Sequence, residues 1–92
     1  YPNSALAGNA CYWQGLAYFA VADHKNAAAS QQRLLRDYPE HSKVPDAMVS
    51  LARAQIQLGE TENARLELER VMSRYPSTKA AELAKKILAL FK

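Results

Sequence analysis

Three side chains in this sequence have the chemistry of a nucleophile or a general base: Cys11, His24 and His41. A thiol beside an imidazole supports acyl transfer when the two lie within hydrogen-bond reach. Two histidines four residues apart with a glutamate between them hold zinc on a helix. Neither pattern occurs. His24 and His41 are seventeen residues apart, and Cys11 is distant from both. There is no H-E-x-x-H, no glycine-rich phosphate loop and no G-x-S-x-G. One cysteine excludes an internal disulfide framework and a cysteine-rich zinc site. The expectation is a chain with no catalytic residue, no bound metal and no cofactor. His24 is expected in a turn between helices, and His41 in a surface turn. Cys11 follows the apolar phase of its segment and is expected to act as a small buried hydrophobe. A reactive thiol would need exposure and a lowered pKa.

The charge balance points away from nucleic acid. Twelve Lys and Arg stand against nine Asp and Glu, a net charge of +3, and the basic residues are scattered, with Lys85-Lys86 the longest run. Nucleic-acid footprints cluster their basic residues on one face. The apolar runs are a few residues long, against the ~20 that cross a bilayer. No membrane insertion is expected, and no basic, hydrophobic leader opens the segment. The composition, 49% hydrophobic and 23% charged with three glycines, is that of a soluble folded chain. A chain of this size buries roughly 60–65% of its unfolded surface, so its core should be marginal unless neighbours extend it.

The organising feature is a repeat. Tyr1-Pro2, Tyr38-Pro39 and Tyr75-Pro76 recur at a spacing of 37 residues. In the same register Ala10, Ala47 and Ala84 coincide, as do Ala17 and Ala54, Asn26 and Asn63, Ala27 and Ala64, and Arg33 and Arg70. A period of 20–50 residues marks stacked supersecondary units. Each unit reads as two helices. The first helices run over about 5–21 and 44–58, with apolar residues at helical spacing. Ser4, Ser42 and Thr78 are placed to cap first helices. Pro45 sits in a first turn, where its missing amide costs nothing. Gly59 supplies a left-handed stop, and Thr61 can cap the following helix. The second helices run over about 25–37 and 62–74. In the latter, Ala64, Leu68, Val71 and Met72 form the apolar stripe. Glu62, Arg65, Glu67, Glu69 and Arg70 form a solvated face with ion pairs at three- and four-residue spacings. Tyr-Pro ends each second helix, because a residue before proline is pushed out of the helical region. No segment alternates with period two, so the chain is expected to be all-α.

A helix–turn–helix unit closed by proline, with small residues at fixed places, resembles the tetratricopeptide repeat. In the first unit Gly15, Ala17, Tyr18, Ala27 and Pro39 fall on its small, small, aromatic, small and proline sites. In the second, Ala52, Ala54, Gly59, Ala64, Leu68 and Pro76 do, with Leu51 before the small site. Small residues at Gly15/Ala52 and Ala27/Ala64 let the two helices of a unit approach. Cys11 and Met48 depart from the large aromatic usual at their site, and Gln31 replaces a buried aromatic. The repeat is three residues longer than the usual 34, which places the extra residues at the start of each first helix. The resemblance implies a tetratricopeptide-repeat superhelix of about five antiparallel helices. Its units would span about 5–41 and 42–78, with a capping helix over about 79–92, all in one domain.

The strings Asn9-Ala-Cys-Tyr-Trp-Gln-Gly15, Tyr38-Pro-Glu-His-Ser-Lys-Val-Pro-Asp-Ala47 and Ala80-Ala-Glu-Leu-Ala-Lys-Lys86 carry a closer resemblance. They look like the C-terminal domain of the YbgF/CpoB family of the Tol–Pal cell-envelope system. That resemblance implies a periplasmic, non-catalytic interaction module. It implies TolA and the peptidoglycan synthesis machinery as partners, with a role in coordinating that synthesis with outer-membrane constriction during division. The family's trimerising coiled coil is not in this segment.

Repeat arrays of this kind bind protein segments on a concave face lined by first helices. From helix phase, that face should carry Asn9, Tyr12, Trp13, Leu16 and Phe19 from the first unit. The second unit should add Asp46, Val49, Ser50, Arg53 and Gln57, and the last helix Lys86 and Leu90. Aromatic residues and arginine dominate interface energies. Tyr12, Trp13, Leu16, Phe19 and Arg53 are therefore the expected core of the surface. Tyr12 and Leu16 stand where a carboxylate clamp would need lysine and asparagine, so no such clamp is expected. A tryptophan in an alanine-rich helix is also commonly a stacking residue. Tyr1-Pro2 sits where a unit would end, so Tyr12 or Trp13 could face a preceding helix pair and leave a face prone to self-association. The other reading is a structural or oligomerisation scaffold, as in an outer-membrane assembly lipoprotein.

Overall fold

The computed structural model describes residues 4–91. Five helices follow one another: α1 (Ser4–Ala20), α2 (His24–Asp37), α3 (Val44–Gln57), α4 (Thr61–Arg74) and α5 (Lys79–Leu88). No strand occurs among the described residues. The helices fall within one or two residues of the expected spans, except that α5 ends at Leu88 rather than near the chain end.

The ends of the helices have local causes. Asp23 caps α2, its carboxylate accepting from the Asn26 amide at 3.3 Å. Thr78 caps α5 as expected, accepting from the Ala81 amide at 3.1 Å. Ser42 does not cap α3. Lys43 holds the cap position without a side-chain bond, and its amide donates to Nδ1 of His41 at 3.0 Å. Thr61 is the first residue of α4, with Glu60 in the cap position. Gly59 ends α3 at φ 81°, the left-handed region expected of it. Ala22, at the same place in the first unit, adopts φ 63° despite its Cβ.

Each helix packs on the next in the chain, and α3 also touches α1 and α5. No comparable contact joins α2 to α4 or α1 to α5. The shortest dimension of the molecule is 17 Å, which accommodates two helix layers separated by ~8–10 Å. One layer is α1, α3, α5 and the other is α2, α4. Neighbours touch in the first layer and are splayed in the second, so the stack curves toward α1, α3 and α5. That layer is the concave side.

The core runs between the layers. Leu34, Ala47, Ala52, Ala64, Leu68, Val71 and Ala84 have no exposed surface. The two units solve the same crossing in different ways. Ala52 and Leu68 meet in the second unit's register, and Gly15 and Gln31 in the first. Gln31 is buried, and its Nε2 donates to the Tyr12 carbonyl at 3.2 Å. A Cβ at Gly15 would collide with that same amide group. Cys11 is buried in the main core.

One expectation about burial needs correction. Glu67 is not on a solvated face. It is buried in a crevice lined by Leu35, Pro39, Val44, Met48, Arg70, Arg74 and Tyr75. Burial pushes its carboxyl up, while Arg70 at 2.9 Å pulls it back. Arg65–Glu62 also pairs, at 3.6 Å, whereas no Arg65–Glu69 pair forms. α1 is less buried than α3. Ala47 and Ala54 are fully buried against α2, yet Ala10 and Ala17, in the same register of α1, are exposed. Leu6 and Trp13 share that outer strip, with Val21 in the turn that follows, and are 69%, 58% and 74% exposed, respectively.

Candidate functional site: the concave face of α1 and α3

Two rows of side chains face one another on the concave side. α1 contributes Tyr12, Leu16 and Phe19, spaced by four and three residues, which is one stripe of a helix. α3 contributes Asp46, Ser50, Arg53 and Gln57 with the same periodicity. Gly15, Leu16, Phe19, Ala27, Gln31, Ser50 and Arg53 line a small cavity of about 30 Å³ that opens to solvent. Glycine at 15 and alanine at 27 leave this space where larger side chains would close it.

Aromatic rings and cations pair across the helices. The Arg53 guanidinium lies 5.4 Å from the Phe19 ring centroid. The Lys43 ammonium lies 5.4 Å from the Tyr12 centroid. Tyr12 meets Trp13 edge to face at 5.4 Å. Burial pushes the Tyr12 phenol up, and the Asp46 carboxylate adds to this, while Ser50 and Arg53 pull it down.

The face thus brings together Tyr12, Leu16, Phe19, Ser50 and Arg53, with Asp46 beside them. Asn9 is half-buried, and Gln57 and Lys86 are exposed. Val49 is a correction. It is 3% exposed and belongs to the core with Ala80, Ala81 and Ala84 of α5. The packing of α5 on α3 narrows the free strip of α3 and takes Val49 out of it. Trp13 is exposed at the edge of the face, toward the outer strip of α1. Lys43 was missed, since it precedes its helix; its neighbourhood to Tyr12 depends on the α2–α3 loop.

Both histidines are held by neighbouring structure. His24 begins α2 rather than lying in the turn, and its ring meets Phe19 edge to face at 4.8 Å. His41 is not a free surface residue: its Nε2 is 2.9 Å from the Ala5 carbonyl, and its ring packs on Gly8. Both of its nitrogens are engaged with backbone. No group of three His, Cys, Asp or Glu that could hold a metal occurs among the described residues. Among them, no helix is long and apolar enough to cross a membrane.

The repeat, the two-layer stack and the concave layer of first helices agree with a family comparison. The tetratricopeptide repeat model matches residues 10–41 and 46–78. The chain belongs to the tetratricopeptide repeat family. Each match falls within one 37-residue unit, and the unmatched 42–45 lie at the start of the second, where the longer period places its extra residues. No curated protein matches the chain. Tetratricopeptide repeats mediate protein–protein interaction, and the cavity between α1 and α3 lies on the face such repeats offer.

Proposed function

We propose that the domain is a non-catalytic docking module. Its concave face would hold a segment of TolA, in the periplasm, as part of the Tol–Pal envelope machinery. There it would help couple peptidoglycan synthesis to outer-membrane constriction during division. The resemblance of the Asn9–Gly15 and Tyr38–Ala47 strings to the YbgF/CpoB family supports the partner and the setting. The observation that carries the docking reading is the cluster of Tyr12, Leu16, Phe19 and Arg53 around an open cavity. Aromatic and arginine side chains on one concave surface are the usual anchors of an interface. Mixing the periplasmic region of TolA with the isotope-labelled domain tests it. Amide shifts confined to Tyr12–Phe19 and Asp46–Gln57 support the reading, and shifts elsewhere or none at all reject it.

A second reading has its own observation. α1 carries no charged residue, and Leu6 and Trp13 on its outer strip, with Val21 just past its end, are exposed. A helix apolar on both faces is normally covered on both. In a scaffold or oligomer that strip would be the stacking surface, and copies of the chain would associate through it. Light scattering over a concentration series separates the readings. Reversible association abolished by Leu6→Glu favours the scaffold, and a monomer at every concentration favours docking.

A further inference from the structure

Most charges of this chain, of both signs, lie on α2, α4, α5 and the turns. Its carboxylates lie mostly on the outer layer and the turns. Asp37, Glu62 and Glu67 pair with Arg36, Arg65 and Arg70 at 2.9, 3.6 and 2.9 Å. Asp23 is engaged as the cap of α2. On the concave side, α1 contributes no charge and α3 contributes Asp46 and Arg53. Arg53 and Lys43 have no carboxylate within 4.0 Å among the described residues. Each is held instead over an aromatic ring.

That arrangement leaves work undone. A guanidinium seated on a ring uses its face for the contact, and its N–H donors stay available in the plane for a carboxylate. The two rings belong to Tyr12 and Phe19, seven residues apart on one helix, or about 10 Å along the groove. Between the two cation sites, near Phe19, lies the cavity walled by Leu16, Phe19 and Ala27.

We infer that the groove recognises an acidic segment of its partner. A methyl group of one aliphatic side chain enters the small cavity, and side-chain carboxylates flanking it meet Arg53 and Lys43. Side chains alternate faces in an extended chain, so residues two apart (~6.6 Å) and four apart (~13 Å) point the same way and bracket this spacing of about 10 Å. The ligand carboxylates are side chains, and a free chain end is not required. Asp46, the one acid on the strip, opposes such a ligand. This inference rests on the docking reading and names the chemistry of what docks.

The test uses three short peptides blocked at both ends. One combines Glu with Leu, the second has Gln in place of each Glu, and the third has Lys. Trp13, the single tryptophan, touches Tyr12 and reports on the groove by its fluorescence. The Glu peptide should bind at least about tenfold more tightly than the Gln peptide, one charge-assisted contact being worth about that factor. The preference should shrink as salt is raised. Arg53→Gln, at an exposed site that tolerates the change, should reduce the preference severalfold, and Asp46→Asn should strengthen it. Saturable binding of the Gln or Lys peptide as tight as that of the Glu peptide overturns the acidic inference while leaving the docking reading standing. So does an Arg53→Gln variant that keeps the preference undiminished. Absence of binding by all three peptides, together with absence of TolA-induced amide shifts in the groove, overturns both.

Discussion

The Arg53 guanidinium stands 5.4 Å from the centroid of the Phe19 ring, tying α3 to α1 across the concave face. Phe19 in turn meets His24 of α2 at 4.8 Å. One ring therefore links three helices at one wall of the cavity. Cation–π pairs at exposed sites contribute ~0.5–1 kcal/mol. A double-mutant cycle of Phe19→Ala and Arg53→Ala, followed by urea unfolding, should return a coupling of that size. Additive effects would show that the two side chains do not support one another.

The crossing of α1 and α2 offers a sharper test. Gly15 accommodates the buried amide of Gln31, whereas the second unit uses Ala52 with Leu68 in the same places. Gly15→Ala alone should cost about 1–3 kcal/mol, because its methyl displaces an amide that bonds the Tyr12 carbonyl. Adding Gln31→Leu, which turns the first crossing into the second, should recover most of the loss. Thermal unfolding of the single and double variants measures this. A double variant no better than the single would mean that the units are not interchangeable here.

Ala22 is the converse case. It holds a left-handed conformation, φ 63°, in the register where the second unit has Gly59 at φ 81°. An L-residue pays about 1–2 kcal/mol to adopt that region, partly offset by the entropy that glycine loses on folding. Ala22→Gly should therefore raise the unfolding midpoint by up to about 1 kcal/mol in stability. A lowered midpoint would contradict the assigned turn.

The phenol of Tyr12 provides a pH test. Burial and Asp46 hold its pKa above the ordinary 10.0. The unfolded chain ionises first, so the associated stability is fully present below pH 10.0 and is lost as pH rises through the higher folded value. A difference titration of phenolate absorbance against Tyr12→Phe should show late ionisation. Asp46→Asn should move it down, and Arg53→Gln should move it up. Titration at or below 10.0 would place the hydroxyl outside the cluster.

The helices and their register were legible because their causes are local. Tyr38-Pro39 and Tyr75-Pro76 stop helices wherever they occur, and Gly59 provides the turn its φ demands. The pairing of Gly15/Ala52 with Ala27/Ala64 followed from residue size alone. What sequence reading missed depends on neighbours from another unit. Val49 has the phase of a groove residue, but α5 covers it. Glu67 has the charge of a surface residue, but Leu35, Pro39 and Met48 of the preceding segment close over it. Ser42 has the chemistry of a cap, yet the ring of His41 takes the Lys43 amide first. Ala22 shows no left-handed preference by type; only its register with Gly59 marks it. The concave row of Tyr12, Leu16, Phe19, Ser50 and Arg53 was readable from helix phase, whereas Lys43 reaches Tyr12 through a loop that carries no periodicity.

The central claim is that this concave face docks a protein segment. Calorimetric titration of TolA's periplasmic region into the wild-type domain and a Leu16→Ala/Arg53→Ala variant tests it directly. Saturable binding to the wild type, weakened at least about tenfold in a variant whose helix content and unfolding midpoint are retained, is the expected result, since anchor residues each carry more than about 1 kcal/mol. Unchanged affinity in that still-folded variant would contradict it.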